Sequence, residues 1–107
     1  MYAYTGCFTT AKRKARGKGI GVYRVDAATN AWDLIEVFET LPNPGYVALD
    51  SRNRFLYASH GDGTEVSAHV IDAASGKLKF LNKQPSGGDN APHLIVAPGD
   101  RHVVVAN

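Results

Sequence analysis

The sequence lacks the features that stabilise small proteins covalently or anchor them in a membrane. It contains one cysteine, Cys7, among 107 residues, which excludes an intrachain disulfide, and no Cys and His spacing resembles a zinc or redox motif. No apolar run approaches the ~18 residues of a membrane span. The chain enters a strand pattern at once, without a basic leader or a signal-length apolar segment. We therefore predict a cytoplasmic location and no membrane partner.

Motifs of several enzyme classes are also missing. The segment Gly17–Gly21 lacks the spacing of a dinucleotide-binding turn and runs into a strand instead of a helix. There is no nucleophile elbow, no phosphate-binding P-loop and no zinc-protease motif. These absences exclude the corresponding cofactor and metal chemistries, and the sequence predicts neither a cofactor nor a metal site.

What the sequence does contain is a succession of short apolar runs bounded by turn residues, with no sustained helical period. Turn chemistry such as Gly61–Gly63, Ser75–Gly76 and Pro98–Asp100 separates the runs. The predicted strands are 2–8, 19–25, 32–40, 45–50, 54–60, 65–71, 77–84, 92–97 and 102–107. The predicted fold class is all-β.

The pattern repeats with an offset of 46 to 47 residues. Val25–Ala28 corresponds to Ile71–Ala74 at an offset of 46, and a Pro-led strand beginning at Asn43–Pro44 has a counterpart 48 residues later, beginning at Ala91–Pro92. A repeat of roughly 40 to 50 residues built only from short strands is typical of a β-propeller blade of four antiparallel strands. The recurring aspartates, 26 and 72 in the sequence, are predicted to cap turns.

The repeat length divides the chain into about two and a third blades, whereas closed propellers have ~4–8. We predict strands B to D of a first blade in 1–42, a second blade in 43–85 and the start of a third in 91–107. The pattern breaks off in mid-strand, so we expect the N-terminal part of a longer single domain. The alternative is that several chains assemble into one ring. Open strand edges could mediate self-association.

Several motifs resemble those of a known family. Tyr4–Thr9 is similar to the opening strand Y-V-G-T-Y-T of the seven-bladed propeller lactonases, and Gly19–Asp26 is similar to their G-I-Y-V-Y-x-x-D. Asn43–Tyr46 and Gly87–Leu94 follow in the family's order. The family includes propeller-type 6-phosphogluconolactonases and carboxymuconate cyclases. The resemblance covers the whole chain but only about a third of the family's usual length.

The resemblance implies a seven-bladed propeller whose parent protein hydrolyses a sugar lactone, such as 6-phosphogluconolactone of the pentose phosphate pathway, to its acid. The family's catalytic His, Arg and Glu lie in later blades, so this chain is expected to hold no catalytic residue and to be inactive alone. Two alternatives stay open: a non-catalytic binding or assembly module, and a carboxymuconate cyclase-like enzyme, because fold does not fix function.

Strand order places three polar side chains at one end of the blades. His93 begins an inner strand, while His60 and Asn107 end second strands, and antiparallel pairing brings these ends together. Each is a candidate for substrate binding. Each also has a structural alternative: His93 could tie blades together, His60 could be a turn residue, and Asn107 could satisfy a loop carbonyl.

Five of the twelve basic residues fall within seven positions of one loop. They are Lys12, Arg13, Lys14, Arg16 and Lys18. The loop has no aromatic residue for base stacking, which disfavours nucleic acid, and no carboxylate nearby in sequence. It is interpreted as a solvated loop or as a positively charged rim that attracts a phosphorylated or carboxylated lactone. The predicted partner is a small sugar lactone.

Overall fold

A computed structural model describes residues 1–107, which form nine β-strands and one short 3-10 turn at Ala11–Arg13. The strands are β1 (Tyr2–Thr5), β2 (Ile20–Val25), β3 (Trp32–Phe38), β4 (Pro44–Leu49), β5 (Phe55–His60), β6 (Glu65–Ile71), β7 (Leu78–Pro85), β8 (His93–Val96) and β9 (Val103–Ala106). All nine strands fall where the sequence predicts them, and the all-β prediction is confirmed. No helix has the length and apolar character needed to cross a membrane.

The strands form three consecutive antiparallel sheets. The first sheet has the order β1-β2-β3, the second β4-β5-β6-β7 and the third β8-β9. Contacts between the second and third sheets are concentrated on β8, which touches β4 and β5. Similarly, β1 of the first sheet touches β4 of the second. The backbones of successive sheets therefore approach each other most closely at the first strand of each sheet, which is how blades converge on a propeller axis.

The main core lies between the first and second sheets. Ile20 and Val22 of β2 and Leu56 of β5 are completely buried, and they cluster with Ala58 and Leu78. The two-residue period of β5 directs Leu56 and Ala58 to the same face. Full burial of one such aliphatic side chain contributes about 1.5–3 kcal/mol. This core holds the first sheet against the second and fixes their relative position.

Polar contacts tie the same two sheets together at the end opposite the candidate site. The hydroxyl of Tyr2 donates to the Ala74 carbonyl at 2.8 Å, and that of Tyr4 donates to the Gly76 carbonyl at 2.7 Å. Gly76 has φ +76°, and a Cβ there would lie 2.4 Å from the Tyr2 ring. Glycine is required here both for the left-handed backbone and for the approach of the ring.

The repeat seen in the sequence is also a repeat of turn geometry. Asp26 accepts backbone hydrogen bonds from Ala28 and Thr29, and these bonds lower the pKa of its carboxyl group. Asp72 caps the corresponding turn of the next sheet through Ala74 and the Ser75 hydroxyl. The predicted role of both aspartates is confirmed.

The first strand is shorter than predicted. The sequence predicts strand over 2–8, but β1 ends at Thr5. The Cys7 amide instead donates to the Pro44 carbonyl of the second sheet at 2.9 Å. Gly6 permits this crossing, because a Cβ at Gly6 would lie 2.5 Å from the same carbonyl oxygen. The chain thus leaves its own sheet early to contact its neighbour.

Candidate active-site face

One end of the three sheets collects the residues that the sequence singles out, and we call it the site face. Pro44 of β4 pairs with His60 of β5, and His93 of β8 pairs with Ala106 of β9. The loops 6–19, 39–43, 61–64 and 86–92 lie at this end, as the strand order predicts. Rigid strands thus carry the connecting loops in which binding residues are most often found.

Asn43 is the structural centre of the site face. It is 1% exposed and adopts the left-handed conformation, with φ +53°. Its Oδ1 accepts from the amides of Thr9 and Thr10, at 2.8 and 3.1 Å, and its Nδ2 donates to the Gly61 carbonyl at 3.0 Å. A single amide side chain therefore joins the basic loop of the first sheet to the 61–64 turn of the second.

Asn90 repeats this arrangement one sheet further along. It also has a left-handed backbone, with φ +52°, and its Oδ1 accepts from the Asp62 amide at 3.0 Å. The two asparagines are 47 residues apart, which matches the sequence repeat. Neither asparagine is predicted from the sequence as a linking residue, although an asparagine at the repeat offset shortly before a proline is a visible signal.

The basic loop is anchored by an ion pair. Nε and Nη2 of Arg13 donate to the two carboxylate oxygens of Asp62, each at 2.7 Å, and the guanidinium lies 4.8 Å from the centre of the Phe8 ring. The paired guanidinium lowers the pKa of Asp62. Arg13 is exposed, as the interpretation of a solvated loop predicts, but it has a carboxylate partner 49 residues away that the neighbouring sequence does not supply.

His60 is enclosed by protein. It is 3% exposed, its Nδ1 lies 2.8 Å from the Pro42 carbonyl oxygen, and its Nε2 lies 2.7 Å from the Ser67 hydroxyl. Burial lowers the pKa of this imidazole. Both ring nitrogens thus have protein partners, and His60 connects the 39–43 segment to β6.

His93 and Asn107 occupy more open positions. The His93 ring is exposed and packs edge-on against Tyr46, with centroids 4.7 Å apart. Asn107 is exposed and donates from Nδ2 to the Ser86 carbonyl at 3.1 Å. No hydrogen bond joins His60, His93 and Asn107 to one another, so the structure places them at one end without forming a single cluster.

His69, which the sequence places in mid-strand, is completely buried in the second sheet. Its Nε2 lies 3.1 Å from the Thr40 hydroxyl and its Nδ1 lies 3.2 Å from the Leu56 carbonyl oxygen. Phe38 and Phe80 pack edge-on against the ring. Burial lowers the pKa of His69 as well, so this side chain is a neutral part of the packing.

Two clefts open on the site face. The first, which we call the linker cleft, has a volume of about 210 Å³. Its lining residues are Thr10, Lys12, Leu41, Pro42, Asn43, His60, Gly61, Asp62, Gly63, Thr64 and Glu65. The second, the aromatic cleft, has a volume of about 220 Å³. Its lining residues are Phe8, Arg13, Gly45, Tyr46, Gly61, Asn90, Ala91 and Pro92.

The aromatic cleft depends on the glycine at position 61. A Cβ at Gly61 would lie 2.5 Å from the Phe8 ring, whereas one at Gly45 would lie at an ordinary contact distance of 3.5 Å. The ring therefore rests on bare backbone, with 42% of Phe8 still exposed. Phe8 and Tyr46 offer apolar surfaces, while Arg13 and Asn90 offer hydrogen-bond donors. Apolar walls with a few polar groups are typical of small-molecule sites.

No group of three or more His, Cys, Asp or Glu side chains that could hold a metal ion occurs in the chain. The site face offers hydrogen-bonding groups, the ion pairs Arg13–Asp62 and Lys83–Glu65, exposed aromatic rings and an exposed imidazole. Three successive antiparallel sheets that converge at their first strands define a β-propeller protein. Its clefts lie at the end of the sheets that carries the site-face loops.

Comparison with known proteins identifies the family. The model of the seven-bladed β-propeller lactonases matches residues 2–107. The chain belongs to this lactonase family. It is 34% identical, over 97% of its length, to a 6-phosphogluconolactonase of Bacillus subtilis strain 168, and it covers 29% of that relative.

Solved structures agree on the fold. A candidate 6-phosphogluconolactonase from Bacteroides fragilis NCTC 9343 superposes with a TM-score of 0.84 at 25% identity, over 99% of this chain and 29% of that one. One from Bacteroides uniformis ATCC 8492 gives 0.82 at 28% identity, over 99% and 30%. A periplasmic gluconolactonase of Pseudomonas aeruginosa gives 0.83 at 23% identity, over 99% and 31%, and shows the fold alone. The chain spans about a third of the length of these relatives.

Proposed function

We propose that this chain forms part of a lactonase that hydrolyses a sugar lactone, with 6-phosphogluconolactone as the preferred candidate, to the free acid. The observation that carries the proposal is the 34% identity to a 6-phosphogluconolactonase along almost the whole chain. In this interpretation the first sheet is strands B to D of one blade (1–42), the second sheet is a complete blade (43–85), and the third begins the next (91–107).

The proposed contribution of this chain is to bind and orient the lactone. Lactone hydrolysis needs a base to activate water and positive or hydrogen-bonding groups where the oxyanion develops. His60 has both ring nitrogens occupied by Pro42 and Ser67, which argues against its use as that base. His93 is exposed beside Tyr46 and is the better candidate for a substrate contact. We propose no catalytic residue in this chain.

His60 and Asn107 are proposed to support the site through their neighbours. His60 holds the segment that leads into Asn43, and Asn107 holds the 86–92 loop through Ser86. A sugar hydroxyl could take over the Asn107 amide, because the residue is exposed. For the parent protein we further propose a cytoplasmic location and a place in carbohydrate metabolism. Cell fractionation that placed the parent protein in the periplasm would contradict the first of these.

A chimera tests the proposed function directly. Residues 1–107 would replace the matching segment of the B. subtilis 6-phosphogluconolactonase, and hydrolysis of 6-phosphogluconolactone would be followed by acid release. We expect the chimera to be active and the isolated chain to give no turnover above spontaneous hydrolysis. A folded chimera without activity, or an isolated chain with enzyme-like turnover, would contradict the proposal.

Two histidine variants of the chimera locate the substrate contact. His93→Ala is expected to lower kcat/KM about five- to tenfold, because one hydrogen bond is worth about 1 kcal/mol. His102→Ala is the matched control, since His102 is also exposed and lies just before β9, at the end of the β8–β9 pair opposite His93. Equal effects of the two substitutions would remove His93 from the proposed site.

A second candidate function is an assembly module, and one observation favours it. Trp32 and Leu34 of β3 are 54% and 57% exposed, and Val37 is 45% exposed. Exposed apolar surface of this kind marks association sites, and the sheets also end in open strand edges. Light scattering distinguishes the two functions: a discrete closed oligomer supports the module, and a monomer supports the lactonase segment.

A further inference from the structure

Arg13 differs from the other basic residues of its loop because its side chain has both an ion-pair partner and an aromatic partner. Its guanidinium makes two parallel hydrogen bonds with Asp62, both at 2.7 Å, and stacks 4.8 Å from the centre of Phe8. Bidentate pairing fixes the plane of a guanidinium as well as its position. The side chain is therefore already oriented before any ligand arrives.

The fixed guanidinium still has unused hydrogen-bonding capacity. It carries five N–H bonds; two of them donate to Asp62, and no protein acceptor is found for the other three. Arg13 borders the aromatic cleft, and no carboxylate is among the residues that line that cleft. The Arg13–Asp62 pair is neutral in sum, and Lys12, which lines the neighbouring linker cleft, adds one positive charge to this edge.

We propose that Arg13 is the anion-recognising residue of the aromatic cleft, and that it binds the phosphate or carboxylate group of a small sugar ligand whose carbon skeleton lies against Phe8 and Tyr46. The cleft, at about 220 Å³, is smaller than the ~300–1,000 Å³ of complete ligand sites, which suits one ring with one charged substituent. The inference deepens the proposed function and rests on it only for identifying the ligand as a lactone.

Asp62 has a different part in this proposal. It orients the guanidinium but also competes with an incoming anion for its charge. Removing the Arg13 cation and removing the Asp62 carboxylate both break the same ion pair. Removing the cation is expected to weaken anion binding and removing the carboxylate is not, whereas a purely structural ion pair would give the same effect for both.

Titration followed by NMR tests the proposal on the isotope-labelled chain. The ligands are 6-phosphogluconate, glucose 6-phosphate and gluconate, which separate phosphate from carboxylate recognition. We expect the phosphate-bearing ligands to shift the amide signals of the aromatic cleft. Arg13→Gln is expected to raise their dissociation constants about tenfold or more, the usual effect of losing a hydrogen bond to a charged group. Asp62→Asn is expected to leave them unchanged or lower them.

Lys18→Gln is the matched charge control, because Lys18 belongs to the same loop but lines a different cleft. It is expected to change the dissociation constants less than about twofold, since an exposed charge at a distance is screened. Three results would each overturn the proposal. The first is a loss of affinity in Lys18→Gln as large as that in Arg13→Gln, and the second is such a loss in Asp62→Asn. The third is that none of the ligands binds. Gluconate binding that depends on Arg13 would support it with a carboxylate as the anion.

These readouts do not depend on turnover. Arg13-dependent binding alongside an inactive chimera would leave the anion site standing and reject the lactonase assignment. An active chimera in which Arg13→Gln changes neither binding nor KM would support the lactonase assignment and reject the anion site. The two proposals can therefore fail separately.

Discussion

Replacing Asn43 with alanine is expected to be among the most destabilising single changes at the site face. The substitution removes the three side-chain hydrogen bonds that join the basic loop to the 61–64 turn. It also puts an alanine in the left-handed conformation, at φ +53°. The two costs have different origins and can be estimated separately.

The hydrogen-bond cost comes from the groups left behind. The amides of Thr9 and Thr10 and the carbonyl of Gly61 lose their partners, and an unsatisfied buried group costs about 1–3 kcal/mol. Thr9 and Thr10 are only half-buried, so water can reach them in part, and the low end gives about 3 kcal/mol in total. The left-handed backbone adds roughly 1 kcal/mol for a residue with a Cβ. The expected loss in the free energy of unfolding is about 4 kcal/mol.

Asn53→Ala separates these contributions. Asn53 has φ +55°, is exposed and makes no side-chain hydrogen bond, so its substitution should cost only the backbone term, about 1 kcal/mol. Urea unfolding followed by circular dichroism measures both variants, with the slope of the transition checked for constancy. If the free energies of the two variants differ by less than about 1 kcal/mol, the assignment of Asn43 as the link between the sheets is refuted.

Three further predictions concern the packing between the sheets. Leu56→Ala should cost about 2–5 kcal/mol because it leaves a cavity, and Leu34→Ala, at an exposed site, should cost less than about 1 kcal/mol in the same urea assay. Burial lowers the pKa of His69 below its ordinary 6.5, so the free energy of unfolding should be retained above pH 6.5 and fall as the pH drops toward the lowered pKa. In His69→Gln this free energy should depend less steeply on pH between about pH 7.5 and 5. An unchanged slope would contradict the prediction. Gly76→Ala should destabilise more than Gly87→Ala, because both have positive φ but only the former meets a ring; equal melting temperatures would contradict this.

Most of the fold can be predicted from the sequence because its information is local. Short apolar runs and turn residues specify the strands, and the 46- to 47-residue offset specifies their grouping. The error at β1 has a non-local cause, since Cys7 gives its amide to Pro44 in the next sheet. Nothing in residues 2–8 themselves indicates that the ladder stops at Thr5. Strand ends that are set by a neighbouring sheet are not encoded in the strand.

The candidate site is predictable in position but not in detail. Strand order places His60, His93 and Asn107 at one end, yet it cannot show that His60 is enclosed between Pro42 and Ser67 while His93 stays exposed. Alternation along β5 puts His60 on the same face as Leu56 and Ala58, and that face is the buried one. Strand phase considered together with strand order therefore favours a structural role for this histidine.

The ion pair between Arg13 and Asp62 explains why the basic loop is hard to interpret from its own sequence. Neighbouring positions supply no carboxylate, but folding brings one from the equivalent loop of the next sheet, 49 residues away. Asn43 and Asn90 act in a similar way at shorter separations, 34 and 28 residues, because each binds a loop of the sheet before it. In a repeat protein, a side chain without a local partner is best compared with residues about one repeat length away. By that rule the sequence alone indicates an acidic residue near position 60 as the partner of the basic loop, and Asp62 fits it.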